Sequence, residues 1–114
     1  MENKELFGLC PYVTTQKLLS GKWSIYILYL LSENTIRFNE LLRLMPKEMT
    51  HTTLSRQLKL LEEKGLIIRN EYNQVPPKVE YTLSDIGRKF LPVLDALKDW
   101  GDEYIEFFNS EQTT

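Results

Sequence analysis

Residues 70–83 read NEYNQVPPKVEYTL, two extended halves around a paired proline. Val79, Tyr81 and Leu83 alternate with Lys78, Glu80 and Thr82, the period-two pattern of a strand with one buried face. The run 66–72 ahead of it is rich in β-forming residues. The stretch between them, 73–77, is too long for an ordinary two-residue hairpin. Nearly everything else in the chain reads as helix. The ribbon is therefore an appendage whose base packs and whose polar tip reaches outward, kept extended by prolines that need no ladder hydrogen bonds.

Immediately upstream, Thr50 is an N-cap for a helix over 51–64, and Gly65 stops it. Leu54, Leu58 and Leu61 fall at i, i+4 and i+7, an inward stripe. Thr52, Arg56, Lys59 and Glu63 lie on the opposite side at about 100° per residue. The first half of the outer face carries Thr52, Thr53, Ser55, Arg56 and Lys59, with Gln57 nearer the core edge, and Glu62 and Glu63 wait until the last turn. A helix entering a major groove N-terminus first needs that order, with short polar groups and arginine near the bases and acids away from the phosphates. Taken alone, the same pattern equally describes an amphipathic helix with a solvated face.

Further upstream, Asn39 is placed to cap a helix over 40–45 that Pro46 ends. The short helix, the turn 47–49 and the long helix make a helix-turn-helix. Two more helices precede it, one opened by Pro11 and running to about 19, the other over 22–32 with Trp23, Ile27, Leu30 and Leu31 facing the core. Ser20-Gly21 separates them, and an extended piece follows at 36–38. A helix-turn-helix followed at once by a two-stranded ribbon is the winged-helix order of elements. The fold class expected is mainly α with a small β-wing.

Downstream, Ser84 caps the last helical region. Ile86, Phe90, Val93, Leu97, Trp100, Tyr104 and Phe107 form a seam of period 3.5, with Asp95, Asp99, Asp102 and Glu106 off it. Seven apolar residues exceed what one edge of a small core needs, so the run reads as a dimerisation helix. Pro92 within it predicts a break at the preceding residue, and 109–114 should fray as a tail.

A chain of 114 residues supports one core, so 1–114 reads as a single domain with an N-terminal arm at 1–9. One cysteine, Cys10, and one histidine, His51, leave no intrachain disulfide and no metal site. No glycine-rich oxyanion or phosphate loop accompanies them, so neither an enzyme nor a cofactor is expected. The start has no secretory pattern and the longest apolar run, 25–31, is far short of a span. The expectation is a cytoplasmic protein with no membrane partner. The formal charge of −2 hides an asymmetry: residues 37–78 hold eight Lys/Arg against five Asp/Glu, and 85–114 hold three against seven. A mildly basic centre and an acidic tail fit a domain whose middle faces an anion.

Several ordered motifs carry a resemblance: Cys10-Pro11, Gly21-Lys22-Trp23, Arg37-Phe38-Asn39-Glu40-Leu41, LSRQLKLLEEKGLI at 54–67, VPPKVEYTLSDIG at 75–87 and PVLDALKDWG at 92–101. In this order they resemble the HxlR-type transcriptional regulators, a winged-helix group related to the MarR-type fold. The resemblance implies a homodimer joined through its N-terminal and C-terminal helices and bound to a roughly palindromic operator in double-stranded DNA. It implies that the helix from Thr50 enters the major groove while the wing lies alongside.

The candidate groove-helix contacts are Thr50, His51, Thr52, Thr53, Ser55, Arg56 and Lys59, and the wing and backbone candidates are Arg69, Asn73, Gln74, Lys78, Arg43 and Lys47. For Arg56 and Lys59, phosphate contact is favoured over base reading, because most protein–DNA hydrogen bonds go to the backbone. Cys10 has two readings. A thiol at a helix N-terminus meets the positive end of the dipole, which favours the thiolate a sensor needs; a small buried hydrophobe would show the same sequence. The resemblance adds that some HxlR-type proteins sense electrophiles, quinones or aldehydes through a cysteine here, by oxidation, alkylation or a disulfide between subunits. The function expected is a homodimeric repressor with a small-molecule or electrophile effector. The alternative is a winged-helix protein-interaction module that does not read DNA.

Overall fold

The computed structural model describes residues 6–112. In chain order the elements are α1 (Pro11–Leu18), α2 (Ser24–Leu31), β1 (Ile36–Arg37), α3 (Phe38–Leu44), α4 (His51–Glu63), β2 (Ile67–Tyr72), β3 (Lys78–Leu83), α5 (Asp85–Arg88) and α6 (Leu91–Gln112). The strands form an antiparallel sheet in the order β1-β3-β2. Ile36 and Arg37 pair with Tyr81 and Glu80, while β2 pairs with β3 from Ile67↔Leu83 to Tyr72↔Lys78. The fold class is the winged helix expected from the sequence, with a short third strand flanking the ribbon.

Alternation along β3 works as the pattern requires: Tyr81 and Leu83 point into the core and Thr82 does not. They meet Ile27, Leu28 and Leu31 from α2, Leu41 from α3, and Leu54, Leu58 and Leu61 from α4, all nearly inaccessible. This one cluster holds α4 against the base of the ribbon.

The two ends of α4 are built locally. Thr50 accepts the Thr53 N–H on its hydroxyl at 3.1 Å, satisfying one orphan donor of the first turn. At the other end, Gly65 takes φ +81°. Its N–H reaches Glu62 O at 2.9 Å, and the Leu66 N–H reaches Leu61 O at 3.0 Å. That Schellman closure needs a residue without a β-carbon in the left-handed region. Buried Leu66 then starts the ribbon.

Two local expectations need correcting. Asn39 does not cap α3: the helix begins two residues earlier than expected, at Phe38, with Arg37 in the extended cap position and no side-chain cap. Phe38 packs against the core, and that burial sets the helix start in place of Asn39's capping preference. Near Pro92 the chain breaks earlier than expected, after Arg88, and α6 starts at Leu91 with the proline in its first turn, where a missing N–H costs nothing. Of the tail expected at 109–114, residues 109–112 continue α6, and 113–114 lie outside the described residues. Of the N-terminal arm, 1–5 lie outside them too, while 6–9 turn back on α1, with the Gly8 N–H bonded to Thr14 Oγ1 at 2.7 Å.

Helix α6 spans 22 residues and buries none, a rod about 33 Å long. The Cα radius of gyration is 16.7 Å, against about 13 Å for a compact domain of this length.

Candidate nucleic-acid interface

The outer face of α4 carries His51, Thr52, Arg56 and Lys59 exposed, with Thr53, Ser55 and Gln57 half-buried. His51 is steadied by α3, its ring 4.5 Å from that of Phe38. Between this face, α3 and the wing lies an open groove of about 1000 Å³. Arg43, His51, Ser55, Lys59, Arg69 and Lys78, all sequence candidates, line it together. Pro76 and Pro77 line it too, so the paired proline forms part of the wall.

The remaining candidates lie outside this groove. Thr50 and Thr53 are engaged with one another in the α4 cap, their hydroxyls 3.0 Å apart. Thr52 and Arg56 project from the next stripe of α4, Lys47 from the turn before it, and Asn73 and Gln74 from the exposed ribbon tip. Of these, Arg56 and Lys47 add exposed positive charge outside the groove.

Two groove residues escaped the sequence assignment. Arg37 and Asn39 line the same wall. Arg37 is brought there because β1 pairs it with Glu80. The only sequence signal was a charge between two inward apolar residues, Ile36 and Phe38, which marks an outward position but not what it faces. Glu40 and Glu62 also line the groove, so the acids of this region are not all held away from it. Five basic side chains (Arg37, Arg43, Lys59, Arg69, Lys78) still outnumber these two.

Local carboxylates hold three of the cations. Arg43 pairs with Glu40, Arg69 with Glu71 at 3.0 Å, and Lys78 with Glu80 at 3.1 Å. The Glu71 hydrogen bond, helped by Tyr81, raises the Arg69 pKa above its ordinary value. Lys78 holds Glu80 below the ordinary carboxylate value, and its ammonium also stands 4.8 Å from the ring of Tyr72, its cross-strand partner. Each of these three cations on the groove wall thus has a carboxylate beside it.

Cys10 is half-buried and occupies the N-cap position of α1, with no side-chain capping bond. The expected seam is divided between elements. Val93, Leu97, Trp100, Tyr104 and Phe107 stand exposed along α6, with Trp100 stacked on Tyr104 at 5.6 Å. Ile86 is exposed on α5, and Phe90, at the joint, packs against the core of its own chain. Among the described residues no helix is long and apolar enough to cross a membrane, and no cluster of His, Cys, Asp and Glu could hold a metal ion.

Comparison with known proteins agrees with this geometry. The HxlR-like helix-turn-helix family matches over residues 18–108. The HTH-type transcriptional regulator YdeP of Bacillus subtilis (strain 168) is 47% identical over 98 residues, covering 86% of this chain and 76% of the relative. The HTH-type transcriptional regulator BH0655 of Halalkalibacterium halodurans is 51% identical over 92 residues, 80% of each protein. Among solved structures, the redox regulator HypR in its reduced form superposes with a TM-score of 0.81 at 37% identity, covering 88% of this chain and 98% of that one. Its oxidised form gives 0.75 at 39% identity, over 82% and 96%. With its helix-turn-helix, its wing and a basic groove between them, the chain belongs to the HxlR-like family of DNA-binding transcriptional regulators and not to an enzyme family.

Proposed function

We propose that the protein is a homodimeric repressor that reads an inverted-repeat operator, with α4 in the major groove and the ribbon tip against the flanking backbone. The observation that carries this reading is the convergence of Lys59, Arg69 and Lys78 on one groove beside the exposed face of α4. Thr52, Ser55 and Arg56 meet base edges and adjacent phosphates, and His51 meets the backbone where α4 enters. Lys47, Arg43, Asn73 and Gln74 contact phosphates and sugars on either side.

The dimer is supported by α6. Its exposed row Val93, Leu97, Trp100, Tyr104 and Phe107 is the surface assigned to a second copy, extended by Ile86. The chain exposes 8570 Å², whereas a folded monomer of this mass exposes about 6500 Å². An excess of that size is of the order a stable dimer buries.

Cys10 is the sensor in this reading. Its thiol stands free at the start of α1 and is only partly buried, and the neighbour HypR is a redox regulator solved in two oxidation forms. Oxidation or alkylation at Cys10 alters α1 and releases the operator.

Selection from a random duplex pool at near-physiological salt tests the central claim. Recovery of an inverted repeat with half-sites about one helical turn or a multiple apart is the expected outcome. Salt-sensitive binding without a consensus would overturn sequence reading and direct the search to a protein partner.

A further inference from the structure

Lys64, the residue at the C-terminal cap of α4, reaches across the fold to α1. Its ammonium donates to Lys17 O and Leu18 O, each at 3.2 Å. The last carbonyls of a helix have no intrahelical partner, and the negative end of the dipole gathers there. The Lys64 ammonium, 46 residues beyond Leu18, adds to the cap there, where Lys17 O also accepts from the Ser20 hydroxyl at 3.0 Å.

A second contact joins the same two regions. Gln57 packs on the turn between α1 and α2, where a β-carbon on Gly21 would stand 2.4 Å from Gln57 Oε1 and 2.6 Å from the buried Ser24 Oγ. Gln57, Leu61 and Lys64 fall at i, i+4 and i+7, one stripe of the helix and its cap. One face of α4 thus lies along the α1–α2 corner while the opposite face looks into the groove. Helix α1 buries no residue of its own; Leu18 and Leu19 at its end pack against the core, and Lys64 bonds its last two carbonyls. Its acceptors on α1 are backbone carbonyls, so no side-chain change in α1 removes the link.

We propose that Lys64 is a positioning residue that couples α1 to α4, so that displacement of α1 reaches the groove-facing helix and DNA on α4 is felt in α1. The proposal rests on α4 being the DNA-reading helix.

Hydrogen exchange tests it, on the full chain free and bound to a duplex of about 30 base pairs at low salt, where backbone contacts hold even without a known operator. In the wild type, duplex should slow exchange throughout α4 and also at the Leu18 and Leu19 amides, by threefold or more. Lys64→Met should keep the slowing in α4 and lose it in α1, and Lys64→Arg should restore it. A purely structural role would speed exchange in free α1 yet leave the DNA-induced change intact. Slowing of α4 without α1 in the wild type, or a Lys64→Met response equal to wild type, overturns the coupling and leaves the DNA-reading assignment standing. No slowing of α4 in the wild type overturns that assignment, and the coupling with it.

Discussion

Gly87 lies so close to Leu66 that a β-carbon on it would stand 2.2 Å from the Leu66 carbonyl oxygen. That oxygen also accepts the Ser84 N–H at 3.0 Å, and the Ser84 hydroxyl accepts the Gly87 N–H at 3.1 Å. Short helix α5 is thus keyed to the junction of α4 and the wing by backbone that has no room to yield. Gly87→Ala should destabilise the fold by about 1–3 kcal/mol through overpacking. Thermal unfolding would register this as a loss of roughly 4–8 °C for each kcal/mol in a domain near this size. An unchanged midpoint would mean that α5 does not lock the junction.

Thr50 supports the first turn of α4 through a single hydroxyl. Thr50→Ala should cost about 0.5–2 kcal/mol, and Thr50→Ser should recover most of it. Urea unfolding of the three proteins measures the difference. A Thr50→Ala variant as stable as wild type would assign the helix start to packing alone.

Arg56 and Lys59 are exposed and have no ion-pair partner among the described residues, whereas Arg69 is already bound to Glu71. Arg56→Ala and Lys59→Ala should each weaken duplex binding uniformly across sequences and make the slope of log K against log salt shallower by about 0.9. Glu71→Gln should act the other way, freeing Arg69 and tightening binding. Titration of duplexes at several salt concentrations reads all three. A loss for Arg56→Ala of about 1–3 kcal/mol confined to one base-pair position would make it a base reader.

The wing base should leave a mark on acid stability. With Lys78 3.1 Å away, the Glu80 carboxyl titrates below its ordinary value in the folded chain. A group depressed on folding contributes stability above its unfolded pKa and loses it as pH falls through the folded value. Glu80→Gln should therefore flatten the decline of the unfolding midpoint from the ordinary value of 4.5 downward. Denaturant midpoints measured at intervals from about pH 5 to pH 3 test this; parallel declines would remove Glu80 from the account.

A charge in the α6 row should prevent association. Leu97→Asp is expected to give a monomer by light scattering with the helix content of the body retained, since that side chain is not part of the core. Duplex affinity should fall with it, because two linked half-sites become two separate weak contacts. A Leu97→Asp dimer would place the interface elsewhere.

What was legible in the sequence was local chemistry. Thr50 and Ser84 cap their helices, and Gly65 closes α4, through groups three residues away, so these roles could be read directly. Asn39 misled because the burial of Phe38 outweighs capping preference. The seam misled at Phe90, which packs against its own chain's core, because spacing counts residues and does not register the turn at 89–90 that divides the helices. The groove was legible where its residues belong to α4 or the wing. Glu62 of α4 was the exception, and Arg37 took its place in the wall only through the pairing of β1 with β3, a contact between segments far apart in sequence that no local pattern encodes.

On the dimer proposed above, a 22-residue helix with no fully buried residue in its own chain carries a consequence for dosage. Below the dimer dissociation constant, the amount of paired chain rises with the square of total chain, so doubling synthesis yields about four times as much competent repressor. Each gene under its operator would then switch over a narrow range of protein abundance, and an operator near its own promoter would make that abundance self-limiting.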